Sequence, residues 1–277
     1  MKNFGIALVF SALIMLIASC APVQTTQERT QEDIDNDPSL HGEEAAISEP
    51  DESMDGKWVM YNGYNDYLVT PKAEGKYPAV VMIHEWWGLN QNIKNMAHDL
   101  AEEGYVVLAV DLYGGKVAEV PDDARTYASE VRENPEAAIE HMKAAVSYLN
   151  SREDVIQNDI ASMGWCFGGG MSLQLSFNEN LSATVIYYGN LVTDPEQLDA
   201  INWPVLGVFG EEDTGIPVSS VNEFDAALDE LGVENEIYIY EGVGHAFANP
   251  SNAGHDAEKT KDAWEKTVAF LDKHLKK

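Results

Sequence analysis

Cysteine and positive charge are both scarce in this chain, and a second long apolar run is missing altogether. Only Cys20 and Cys166 occur among 277 residues, too few for a disulfide framework. Lysine and arginine number 17 against 47 aspartates and glutamates, a formal net charge of −30. So negative a surface repels phosphate backbones and anionic headgroups, which excludes nucleic acid as a partner and any polybasic mode of membrane binding. Beyond the N-terminus no apolar stretch is long enough to span a bilayer, and no internal repeat divides the chain.

The N-terminal residues read as a leader. One basic residue, Lys2, precedes an apolar run from Phe4 to Ile17, the pattern of a signal peptide over residues 1–19. Ile17-Ala18-Ser19-Cys20 looks like a bacterial lipobox, in which the cysteine is diacylated and becomes the mature N-terminus. Residues 20–56 then form an acidic tether, with Arg29 alone against eleven acidic residues and almost no large apolar side chain, a composition that cannot build a core. The expected location is the bacterial cell envelope, with the lipid on Cys20 as the anchor in the bilayer. A lipidated Cys20 leaves Cys166 without a disulfide partner, and a free thiol in an exported protein is a candidate reactive group.

Residues 57–277 are enough for one α/β domain with a sizeable core. Short, turn-bounded apolar runs at Ala79–Ile83, Tyr105–Val110, Ile160–Met163, Ala183–Tyr188, Val205–Phe209 and Glu236–Tyr240 read as buried strands. Helical stretches alternate with them: Ile93–Glu103, Ala124–Asn150 with a break at Pro135, Phe167–Phe177, Val218–Leu231 and Ala257–Lys273. The alternation predicts a doubly wound, mainly parallel sheet with helices on both faces, and chemistry in the loops at the C-terminal strand ends. A monomer is expected.

Gly164-Trp165-Cys166-Phe167-Gly168, with Gly169 and Gly170 behind it, follows directly on the strand Ile160–Met163. Strand, sharp turn and helix in that order form a nucleophile elbow, here with cysteine where serine is usual. The glycines are required because side chains two residues to either side would collide with strand and helix. A helix beginning at Phe167 aims its N-terminal N–H groups at the sulfur, which favours a thiolate.

A thiol nucleophile needs a base, and the base needs an acid to orient it. Asp213 lies in the turn Gly210-Glu211-Glu212-Asp213-Thr214-Gly215 after a strand, with Glu212 as its rival. His245 lies in Gly242-Val243-Gly244-His245-Ala246-Phe247, again just beyond a strand; His255 and His274 are the alternatives. No metal or cofactor is expected: His84-Glu85 would need a second histidine where Gly88 stands to make the zinc-protease helix motif. Trp86, Trp87 and Trp165 are expected as packing or pocket walls around the thiol.

From roughly Trp58 to the last helix, the chain resembles the dienelactone hydrolase family of the α/β-hydrolase fold. The resemblance is carried by Tyr77-Pro78-Ala79-Val80-Val81-Met82-Ile83-His84-Glu85-Trp86-Trp87-Gly88-Leu89, by Leu100-Ala101-Glu102-Glu103-Gly104-Tyr105 and by Val110-Asp111-Leu112-Tyr113. The elbow, acid turn and histidine loop belong to it as well. It implies a Cys166–His245–Asp213 triad, Glu85 as the carboxylate that contacts the resting thiol and helps ionise it, and an oxyanion hole from the backbone N–H groups of Trp86 and Phe167. The implied substrate is a small ester, lactone or thioester. Two arginines that hold the substrate carboxylate in the family would fall at about Gly114 and at Asn249 here, so the resemblance does not carry the namesake substrate. Lys116 is the cation nearest the first place. A non-catalytic surface binding lipoprotein on a degenerate hydrolase fold is the second reading.

Overall fold

The computed structural model describes residues 56–276. The expected leader, the lipidated Cys20 and the acidic tether up to residue 55 lie outside these residues. The strands are β1 (Lys57–Tyr61), β2 (Tyr64–Val69), β3 (Tyr77–Ile83), β4 (Val106–Val110), β5 (Val155–Trp165), β6 (Ala183–Tyr187), β7 (Val205–Gly210) and β8 (Asn235–Tyr240). Between and after them lie α1 (Gln91–Glu102), α2 (Pro121–Glu133), α3 (Pro135–Asn150), α4 (Phe167–Ser176), α5 (Pro195–Leu198), α6 (Val218–Leu231) and α7 (Ala257–Leu275).

One sheet contains all eight strands in the order β1-β2-β4-β3-β5-β6-β7-β8. From β4 through β8 every pairing is parallel, and β1 and β2 add an antiparallel edge. The parallel strands β4, β6 and β7 are buried along their whole length, which is why they read as unbroken apolar runs and not as alternating ones. The edge hairpin is absent from the strands expected above. Its signal is Asn62-Gly63: both residues have positive φ, 48° and 88°, as a two-residue turn matched to strand twist requires.

Alternation along β5 assigns its two faces. Ser162 meets Ser172 of α4 through their hydroxyls at 2.7 Å, so α4 covers the face of Ser162 and Gly164. Trp165 points the opposite way, into a space walled by α1 and α7. The Tyr187 hydroxyl, 2.7 Å from that of Thr267, ties β6 to α7 on this second face. Pro135 separates α2 from α3 as expected, since it cannot supply the N–H that a continuous helix needs.

Candidate active site

Cys166 joins β5 to α4 with φ 52° and ψ −118°, a left-handed backbone that a β-carbon disfavours. Its surroundings hold it there: the Cys166 N–H donates to the Tyr187 carbonyl at 2.9 Å, and the Cys166 carbonyl accepts from the Gly170 N–H at 3.2 Å. A Cβ on Gly164 would lie 2.2 Å from the Gly168 carbonyl oxygen, and one on Gly168 would lie 2.3 Å from that of Ile83. Only glycine at both places lets α4 settle onto β5 and β3 with Cys166 at the turn between them.

Asp213 follows β7 and His245 follows β8, and both are buried. Asp213 Oδ1 accepts the N–H groups of Gly215 and Ile216 at 2.9 and 3.0 Å. That fixes the carboxylate so that Oδ2 accepts from His245 Nδ1 at 2.8 Å. With Nδ1 committed, Nε2 is the nitrogen left toward the Cys166 side chain. Burial opposes an imidazolium here, but the Asp213 carboxylate first, and Cys166 after it, overcome that and hold the His245 pKa well above its ordinary value. The histidine loop is pinned from below by Asn252, whose Nδ2 donates to the carbonyls of His245 and Ala246 at 2.9 and 3.0 Å.

Glu85, at the end of β3, is 3% exposed, and its Oε2 accepts from Asn249 Nδ2 at 2.5 Å. Asn249 Oδ1 in turn accepts the Ser251 N–H at 2.8 Å, which orients the amide so that its nitrogen faces Glu85. Asn249 is therefore not a vacant substrate clamp. It is a buried donor that ties the histidine loop to the Glu85 strand. Tyr188 lies against the same group: burial first, then the charges of Glu85 and Cys166, push its phenol pKa far up and keep it neutral. Its ring meets His245 edge-on at 5.2 Å. Neither Tyr188 nor the Asn249–Glu85 bond was singled out from sequence; the available signal was only that both residues end or follow strands at the catalytic edge.

His84 acts in the frame of the site and not as a ligand. Its Nε2 accepts the Leu112 N–H at 3.2 Å, so Nδ1 carries the proton and donates to the Glu85 carbonyl at 2.6 Å. Burial lowers its pKa, and the neutral ring links the Glu85 turn to the loop after β4. Trp86 and Trp87 pack edge-on at 5.0 Å beside Glu85. Trp165, expected beside the thiol, instead turns to the other face of the sheet, because alternation along β5 sends consecutive side chains to opposite sides. Lys116 is also drawn away: its ammonium meets Glu130 at 2.6 Å and lies over the Tyr127 ring. Trp86 follows Glu85 directly, and Phe167 is the first residue of α4, so its N–H belongs to the helix start.

Residues 65–275 match the Dienelactone hydrolase family. The chain belongs to this family. "Protein usf" of Aquifex pyrophilus is 32% identical over 216 residues, covering 76% of this chain and 93% of that protein. A protein of Aquifex aeolicus named "Putative carboxymethylenebutenolidase" is 30% identical over 217 residues, with the same coverage of both. Among solved structures, a "Putative Dienelactone Hydrolase" from Klebsiella pneumoniae superposes with a TM-score of 0.68 at 26% identity, covering 78% of this chain and 96% of that one. The mainly parallel sheet is the α/β-hydrolase fold, and the protein is a hydrolase of the dienelactone hydrolase family.

Proposed function

We propose that this hydrolase cleaves neutral ester, lactone or thioester bonds through Cys166, His245 and Asp213, and that it is exported and held at the envelope by lipid on Cys20. The observation that carries the chemistry is the buried Asp213–His245 bond of 2.8 Å, with the imidazole charge stabilised by both Asp213 and Cys166. The Cys166 thiolate attacks the carbonyl carbon, and the oxygen takes the electron pair while the N–H groups of Trp86 and Phe167 stabilise it. The tetrahedral adduct collapses as His245 gives its Nε2 proton to the leaving oxygen or sulfur, leaving an acyl thioester on Cys166. Water then attacks that thioester, His245 takes the water proton, and the acid departs as the thiolate is restored. Glu85, held by Asn249, stands beside the resting thiol as its secondary acid–base group.

Neutral substrates follow from the charge of the site. Glycine stands at one expected arginine position, and at the other Asn249 is spent on Glu85. Relative to a site that keeps both arginines, the loss of two charged hydrogen bonds, at roughly 1.5–3 kcal/mol each, shifts the preference toward neutral lactones by about two to four orders of magnitude in kcat/KM. Intact-mass analysis of residues 56–277 incubated with p-nitrophenyl esters and lactones tests the chemistry: an acyl adduct that maps to Cys166 supports it, and turnover with the adduct elsewhere overturns it. Anchoring rests on the Ile17-Ala18-Ser19-Cys20 pattern. A Cys20→Ser chain should leave the detergent phase, and one that stays membrane-bound after leader cleavage refutes the lipid.

A further inference from the structure

The turn that joins β1 to β2 is Asn62-Gly63, the only Asn–Gly step in the chain. Both residues are exposed, and both have the left-handed backbone, with φ of 48° and 88°. Asparagine tolerates that conformation and glycine adopts it freely, which is why this pair suits a two-residue hairpin. The same pair is chemically labile. Asparagine is among the thermolabile side chains, because its amide carbon stands in position to close a five-membered ring with the backbone nitrogen of the next residue. Glycine as that next residue leaves the nitrogen uncrowded.

The structure keeps this pair accessible while it holds the flanks. Tyr61 pairs with Tyr64 as the last rung of the ladder, so the Gly63 N–H lies beyond it. A Cβ on Gly63 would meet nothing within 4 Å. On either side the hairpin is fixed: the Tyr61 ring stacks on Tyr148 with centroids 4.5 Å apart, and Tyr64 stacks on His141 at 3.8 Å. Freedom is thus confined to the two residues that must move for the nitrogen to reach the amide carbon, and opening an exposed turn at a sheet edge costs little. Asn158 is the internal contrast. It shares the left-handed backbone, with φ 66°, but Asp159 follows it, and a Cβ there crowds the attacking nitrogen.

We propose that Asn62-Gly63 is a site of spontaneous covalent modification, in which the turn cyclises and is reopened by water to aspartate or isoaspartate. The Gly63 backbone nitrogen attacks Cγ of Asn62, the bond from Cγ to the side-chain nitrogen breaks, and ammonia departs with the proton that the backbone nitrogen gives up. Water, the only co-reactant, then cuts the cyclic imide at one of its two carbonyls. Opening at Cγ leaves aspartate on an intact main chain. Opening at the main-chain carbonyl leaves isoaspartate, whose backbone runs through Cβ and is one methylene longer. Asp-Gly fits the same turn, so the first product is tolerated. The second is not, because the two-residue loop sets the Tyr61–Tyr64 register and with it the pairing of Val59 with Asp66. Asp66 accepts from the Tyr61 hydroxyl and the Asp111 N–H and bonds His141, so the longer turn loosens the clamp between the hairpin, α3 and the loop after β4.

The test keeps the full-length chain at mildly alkaline pH, native in one arm and unfolded in urea in the other, and maps both by peptide mass spectrometry. In the native protein the conversion of amide to carboxyl should appear at Asn62 ahead of every other asparagine, Asn158 included, and isoaspartyl methyltransferase should methylate the peptide that carries it. Conversion at Asn62 in urea alone, or at another asparagine first, overturns the proposal. The native deamidated fraction, separated by its added negative charge, should melt about 2–4 °C below the unmodified protein. Asn62→Asp carries the same charge on an intact main chain and should melt with wild type. An isoaspartate-containing fraction that melts with Asn62→Asp overturns the register argument.

Discussion

Among the described residues two buried aspartate–histidine pairs stand out, and only one of them lies against the Cys166 thiol. Asp213 meets His245 at 2.8 Å, and Asp66 meets His141 at 2.9 Å. The second pair is saturated. Asp66 also accepts from the Tyr61 hydroxyl and from the Asp111 N–H at 2.8 Å, and the His141 ring stacks on Tyr64 at 3.8 Å. It clamps the edge hairpin to α3 and to the loop after β4. In the first pair the carboxylate spends one oxygen on its own turn and the other on Nδ1, so the far side of the imidazole is left toward Cys166. A buried carboxylate–imidazole bond is therefore no catalytic signature by itself. The third group decides, because a proton relay needs a donor or acceptor at each end of the ring.

The sharpest way to break this comparison is to remove the histidines in turn. Cys166→Ala and His245→Ala should each lower kcat/KM by roughly 10³-fold or more, with little further loss in the double variant, because the groups act as a unit. His141→Ala should instead lower the melting temperature and leave turnover by the folded protein close to wild type. Loss of turnover in folded His141→Ala protein would erase the distinction. Asp66→Ala should be the most destabilising change, by about 3–5 kcal/mol in denaturant unfolding, since it leaves a buried imidazole and a phenol without their acceptor.

A smaller effect is expected at Asn249. Asn249→Ala removes a donor to a buried carboxylate and should cost about tenfold in kcat. Asn249→Asp should also move the acidic limb of the pH–rate profile upward, because two adjacent carboxyls cannot both ionise easily. A purely structural role would lower stability and leave that limb in place.

The pH dependence of stability separates the pairs further. The folded pKa of His245 is raised above its unfolded value, so its contribution is fully present below about pH 6.5 and is lost as pH rises through the folded pKa. The melting-temperature gap between wild type and Asp213→Asn should therefore narrow from pH 6 toward pH 10. A gap that widens over that range contradicts the assignment. The smallest effect belongs to Glu212→Gln, which should stay within about 0.5 kcal/mol of wild-type stability and be silent in turnover, as expected for a surface acid beside the relay.

Much of the site was legible in one dimension because its parts are local. The elbow needs small residues at fixed offsets from Cys166, and those glycines are visible as Gly164, Gly168, Gly169 and Gly170. Asp213 and His245 each sit in a glycine-bearing turn after an apolar run, and the structure joins them as expected. The β1–β2 hairpin was legible too, through Asn62-Gly63, but its strands carry exposed Trp58 and Met60 and lack the buried run that marks the others. Trp165 illustrates the limit in the other direction. Its neighbour Cys166 suggested a place beside the thiol, whereas the pleat of β5 sends it to the opposite face.

The sequence by itself determined the mainly parallel sheet, the sharp turn at Cys166 and the post-strand turns that carry Asp213 and His245, because apolar runs, glycine spacing and turn residues act over a few positions. Tertiary structure alone decided what Asn249 and Asp66 do. Asn249 meets a carboxylate 164 residues away, and Asp66 meets His141 across 75 residues. Such bonds depend on which loops the sheet order brings to one edge, and burial then fixes their meaning: an amide that could have faced a substrate is held by Glu85, and a carboxylate that could have served a relay is spent on holding the edge hairpin.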